Sequence, residues 1–344
     1  MATQEPKRYA SVAATRLVLT LMIFVFHSFY IFSSTNLETF FPLSAALQGF
    51  NFLAAFLCSR KNIVSWKGYY QKRLRSLLIP CAAVLAVIVL STFVVTIFAG
   101  PFSLERFFNG FVGSSSNGTM LLSFGTFWYV GVMAVLFALV PLFFLARRKP
   151  WLWFVLFSIG IIEVLVAGRF WQPIVYLPFA AGFYYGFKAK GNCLERKGTL
   201  SEWFWPTITF LGGATANFFI RKYAAPTTYL ETFLMTITLR TVQTLIGISL
   251  VLLLLRMFRF LGEQKKRSFL SLSDRVSYPF FLVHFALMVG AFNLGKIIHP
   301  WPRAVLAALL GSFVLSYLIS LLTRKAMRSL PLRQEAFIKE HNHA

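Results

Sequence analysis

The feature that most limits what this chain can fold into is a series of long apolar runs. Ten can be drawn, roughly over residues 15–34, 42–59, 76–99, 120–146, 150–168, 170–187, 203–220, 232–255, 277–297 and 303–323. Several reach the ~20 residues that an α-helix needs to cross a bilayer. Lipid offers no water to backbone N–H and C=O groups, so such runs must close their own hydrogen bonds as helices. The expected fold is therefore all-α: a polytopic transmembrane helix bundle of about ten spans. Charged residues make up only 13% of the 344 positions and hydrophobic ones 57%. That is too little charge to cover a soluble protein of this length. No small-residue cleavage pattern follows the first run, which is expected to stay as a span. No internal repeat is visible and the connections are short. A single transmembrane domain over residues 1–330 is expected, followed by a short polar tail, 331–344.

The net charge of +23 comes from 34 Lys and Arg against 11 Asp and Glu. In a soluble chain this would point to nucleic acid. Here the basic residues stand in blocks between apolar runs, the pattern of cytoplasmic loops facing anionic lipid. No nucleic-acid partner is expected; the bilayer is. With the N-terminus in the cytoplasm, 27 of the 34 basic residues fall on the cytoplasmic face. An even number of spans then puts both termini there, in a multi-pass protein of the cell (cytoplasmic or plasma) membrane. Cys58, Cys81 and Cys193 show no paired spacing, so neither a disulfide framework nor a metal site is expected. Asn117-Gly118-Thr119, in the Gly/Ser-rich outward loop 100–119, fits a glycosylation pattern that matters only in a eukaryotic secretory route. His341 and His343 read as residues of a frayed terminus.

Ionisable side chains inside spans are costly and mark function or pairing. The first span carries two, Arg16 and His27. Eleven helical steps at about 100° bring them to one face, roughly 16 Å apart along the axis, with Thr20 on the same stripe. Arg16 would sit at the cytoplasmic mouth and His27 about halfway across. His284 lies within "SYPFFLVHFALM", sharing a face with Ser277 and Phe281 by the i, i+4, i+7 rule. Glu163 and Arg240 are also deep in spans, where mutual charge compensation is the structural expectation; Arg169 reads as an interface anchor. In the loop "SRKNIVSWKGYYQKRLRSLLIP", positive-inside charge accounts for Lys72, while Arg73 and Arg75 also suit a bidentate phosphate clamp.

These residues together resemble the acyltransferase-3 family, membrane O-acyltransferases of glycans and related acceptors. Arg16, ten residues, then His27 is similar to its opening motif. "YYQKRLRSLLIP" resembles its Arg-x-Arg segment and following proline, and "TFWYVGVMAVLFALVPLF" its Trp-led span ending in proline. "SYPFFLVHF" resembles its late Ser-Tyr…Leu-x-His segment. One departure stands out: Ala54-Ala55-Phe56 occupies the place of the family's Ser-Gly-Phe. Small residues are kept, so close helix packing should survive, but a hydroxyl is lost.

The resemblance implies acyl transfer across a membrane, from cytoplasmic acyl-CoA (acetyl-CoA the expected donor) to a hydroxyl of an extracytoplasmic glycan. Acyl-CoA is then a co-substrate, with no tightly bound cofactor and no metal. Arg16, Arg73 and Arg75 would meet the CoA phosphates. His27 would act as general base, and His284 would orient a substrate or stabilise developing negative charge. A different class of function, a polysaccharide or lipid-linked glycan transporter or flippase without acyl transfer, also uses polar residues along a bundle. It more typically shows paired halves with interrupted helices, which this sequence lacks.

Overall fold

A computed structural model describes residues 9–32, 39, 41–61, 63–98, 127–170, 173–189, 199–261, 269–289 and 294–329. The loop 100–119 with its glycosylation pattern, Cys193, and the tail 331–344 with His341 and His343 lie outside the described residues. In chain order the helices are α1 (Ala10–Phe32), α2 (Ala45–Ser59), α3 (Trp66–Phe98), α4 (Trp128–Ala138), α5 (Val140–Arg148) and α6 (Trp151–Phe170). They continue with α7 (Tyr176–Lys188), α8 (Leu200–Tyr223), α9 (Tyr229–Met257), α10 (Phe269–Val289), α11 (Leu294–Ile297) and α12 (Trp301–Ser329). Among the described residues there is no strand. Each predicted apolar run contains helix among its described residues. Among the described residues six segments are long and apolar enough to cross a membrane: Ala10–Phe32, Trp66–Phe98, Trp128–Arg148, Trp151–Arg169, Tyr229–Leu261 and Trp301–Lys325. The helices on the other four runs are shorter or more polar.

The chain divides into two compact units. The first lies within Met1–Phe29, Ser34–Lys61 and Leu139–Asp274. Its centre is α2, packed against α7 and α9. Glycines set these contacts. A Cβ added at Gly182 of α7 would run into the backbone of Phe52, and one at Gly186 into Ser59 and the Phe56 carbonyl. On α9, a Cβ at Gly247 would strike the Ala45 carbonyl. Small residues thus let backbones approach, as in many membrane helix pairs. Ala55 and Phe56 of α2 are fully buried, so the Ala54-Ala55-Phe56 stretch does keep the close packing expected of it.

At 13 residues, α7 spans only about 20 Å, short of a ~30 Å hydrocarbon core. Its first backbone donors therefore need partners other than water. Val175, at the cap position, offers none from its side chain. Glu163 of α6 supplies them: Oε1 accepts from the N–H of Val175 (2.7 Å) and Tyr176 (2.8 Å), and Oε2 from Leu177 (2.9 Å). The next residue, Pro178, has no N–H to satisfy. The carboxylate thus closes the account of this helix start, where negative charge is also favoured by the helix dipole. The expected compensation of Glu163 by Arg240 is replaced by this cap; Arg240 Nη1 instead donates to Gln243 Oε1 (3.0 Å) on its own helix. Glu163→Ala should destabilise the fold by about 1–3 kcal/mol, the range for stranding buried donors. Glu163→Gln, which keeps acceptor oxygen, should lose less. Thermal unfolding in detergent measures the order; equal melting temperatures for Glu163→Ala and the wild type would refute the assignment.

A similar repair occurs on α8. Pro206 leaves the Glu202 carbonyl without its helical donor, and the Arg256 guanidinium of α9 donates to that oxygen.

The second unit lies within Tyr30–Ser33, Asn62–Ala138 and Arg275–Ala344. It packs α3 against α4 and α12. The stretch Ser59–Pro80, expected as a loop, is helical from Trp66 onward. Ser65 Oγ caps the start by accepting from Gly68 N–H (3.3 Å), and nothing in WKGYYQKRLRSLL breaks a helix. The run 120–146, expected as one span, is interrupted at Leu139 because Pro141 cannot donate to the preceding turn. Tyr70 OH donates to the carbonyl of Ala138, left at the end of α4 (3.0 Å).

Candidate functional site

On α1 the stripe Arg16, Thr20, Ile23, His27 follows helical spacing. Thr20 and Ile23 are 5% and 4% exposed, so the stripe faces protein over its middle. Arg16 and His27, at its two ends, are half-buried. Thr20 Oγ1 donates to the Arg16 carbonyl (2.8 Å), so this hydroxyl serves its own helix. The His27 ring lies 5.2 Å from that of Phe26, tilted by 52°.

Arg16 carries a partner that the spacing argument missed. Its Nη1 lies 2.6 Å from Oδ1 of Asp274, the chain's only aspartate, on α10. The two side chains are 33% and 22% exposed. The signal was present: one Asp among ten Glu, in the segment "SLSDRVSYPFFLVH", ten residues before His284. Both helices thus carry a charge followed, ten or eleven residues later, by a histidine.

His284 is 1% exposed. Its Nδ1 sits 3.1 Å from the Phe280 carbonyl one turn earlier, and its ring stacks on Phe280 at 14°. Phe281 and Phe285 complete the aromatic surround, and Phe281 in turn meets Tyr129 of α4 at 5.1 Å. The i, i+4, i+7 grouping of Ser277, Phe281 and His284 lies on one continuous helix. Tyr278, next in sequence to Ser277, ties α10 to α3 through a hydrogen bond to the Leu77 carbonyl (3.0 Å).

Arg73 and Arg75 lie on the first turns of α3, and helical geometry separates them by about 200°. The Arg73 guanidinium lies 4.6 Å from the Phe137 ring centroid and 5.6 Å from that of Tyr69. This aromatic bracket fixes its plane, which a lysine could not reproduce. Arg75 points to another side of the same helix. The two arginines therefore do not form the side-by-side clamp that their spacing suggested; each presents a separate donor set.

With this geometry in view, comparison with known proteins gives one assignment. Residues 9–321 match the acyltransferase domain of the acyltransferase-3 family, nearly the whole chain. The chain belongs to this family, and so is an acyltransferase, built on several apolar helices of membrane-crossing length. No curated protein and no solved structure matches it.

Proposed function

We propose that the protein is a membrane O-acyltransferase that moves a short acyl group, acetyl in the first instance, from cytoplasmic acyl-CoA to a hydroxyl of an extracytoplasmic glycan. The observation that carries this reading is the α1 stripe, with a cation at one end and an imidazole about 16 Å further along, in a chain of the acyltransferase-3 family. Ten crossings with both termini in the cytoplasm would leave the basic blocks inside, as the distribution of Lys and Arg favours.

In this reading Arg16, Arg73 and Arg75 each offer a separate phosphate contact to acyl-CoA, which enters and leaves as a co-substrate. His27 takes the proton of the acceptor hydroxyl as its oxygen attacks the thioester carbonyl. A C–O bond forms, the C–S bond breaks, and the proton passes to the departing CoA thiolate. His284, held among phenylalanines, orients one substrate or steadies the carbonyl oxygen as it gains charge.

Purified protein in vesicles, given acetyl-CoA labelled in the acetyl group and an enclosed glycan acceptor, should transfer label to the glycan. Movement of glycan across the vesicle membrane with no label on it would replace this reading with a flippase.

A further inference from the structure

We infer that Asp274 is a positioning residue for Arg16: it grips one edge of the guanidinium so that the opposite edge is presented to a phosphate of the acyl donor. The inference rests on the acyl-CoA reading above and adds to it the residue that sets the geometry of the donor contact.

The geometry is specific. Asp274 Oδ1 meets Nη1 of Arg16 at 2.6 Å, a short, charge-assisted contact. No other hydrogen bond of the Arg16 guanidinium exists among the described residues. Among the described residues, nothing occupies the Nε and Nη2 donors, which form the fork that matches two oxygens of a phosphate. One third of the Arg16 side chain is exposed. An arginine on a flexible stem would otherwise sample many rotamers near the end of an apolar helix. Aspartate, with the shortest acidic side chain, fixes it tightly. The chain uses glutamate at every other acidic position, including the helix caps made by Glu163 and Glu231.

Asp274 also carries negative charge, which opposes phosphate binding. Its removal has two effects of opposite sign: the site becomes more cationic, and Arg16 loses its orientation. Orientation dominates, because the exposed charge is screened by water and salt while the fork requires a fixed plane.

The test is steady-state kinetics of the vesicle-embedded full chain with acetyl-CoA and with S-acetylpantetheine, a donor without phosphates. Asp274→Ala should raise the KM for acetyl-CoA about tenfold, roughly one charge-assisted hydrogen bond, and by more than kcat falls. The KM for S-acetylpantetheine should stay within about twofold, a difference that general loosening of the fold would not produce. Asp274→Asn, which keeps an acceptor, should recover most of the loss. Asp274→Glu keeps the charge and pushes the guanidinium away by about one C–C bond; it should resemble Asp274→Ala. This variant decides the matter if Asp274→Ala does not fold. A KM for acetyl-CoA that is unchanged or lowered in Asp274→Ala or Asp274→Glu, or one that rises equally for both donors, overturns the inference. If the wild type itself neither binds nor turns over acetyl-CoA, the donor reading is what fails.

Discussion

Replacing His27 by alanine should slow acyl transfer by about 10²–10⁴-fold, the usual contribution of a positioned general base, while leaving a protein that inserts and elutes as the wild type does. His27 is half-buried at the C-terminal end of the α1 stripe, so losing its ring removes no fully packed core group. The carboxylates with described contacts inside helices are committed elsewhere: Glu163 to the start of α7, Asp274 to Arg16 and Glu231 to the start of α9. None of them can stand in as base without breaking structure. His27→Gln, similar in size and able to hydrogen-bond, should be nearly as slow, which separates proton transfer from shape. The rate is read as label transferred to glycan per unit of folded protein. Wild-type turnover in His27→Ala would remove the proposed chemistry outright.

The second large effect is structural. Gly182→Leu should abolish recovery of folded protein. A Cβ at this position already overlaps the Phe52 backbone, and a backbone cannot swing aside as a side-chain tip can. The whole of α2 would have to move, and with it the Gly49–Gly247 contact on its other side, where the added Cβ atoms meet backbone of the neighbouring helix. Overpacking of rigid contacts costs typically 1–3 kcal/mol and more when backbone must shift, a large share of total stability. Gly131→Ala and Gly212→Ala are the internal controls. Added Cβ atoms there meet nothing within 4 Å, and alanine is the better helix former by about 1 kcal/mol. The readout is the monodisperse fraction after extraction in mild detergent. A monodisperse Gly182→Leu at wild-type yield would show that α2 and α7 are not locked together as described.

Much of the fold was legible because membrane insertion is governed by a quantity that single sequences display, the summed apolarity of a segment. That is why each run from 15–34 to 303–323 contains helix among its described residues, and why Arg16 and His27 fall on one stripe. The start of α3 is not legible from apolarity, because its first turns are polar. Tyr69 to Leu78 is polar yet contains no breaker, and a Ser cap sits ahead of it. The partners of charged residues were missed for a different reason. Glu163 reaches donors on the next helix, and Asp274 reaches an arginine 258 positions away. Helical periodicity says which face a side chain occupies and nothing about what stands opposite. The separation of Arg73 from Arg75 follows directly from the helical geometry of this segment, whereas a loop would let them act together.

The cap on α7 has a consequence for biogenesis. Glu163 and the amides it holds are only 12 to 14 positions apart, so the two helices meet through a short hairpin with little loop-closure cost. Neither partner is comfortable alone in hydrocarbon: one brings an acidic group, the other bare amide donors on a segment too short to cross. Leaving the insertion machinery together, each masks the liability of the other. This hairpin should therefore partition into lipid as one object during synthesis, before α9 has emerged from the ribosome.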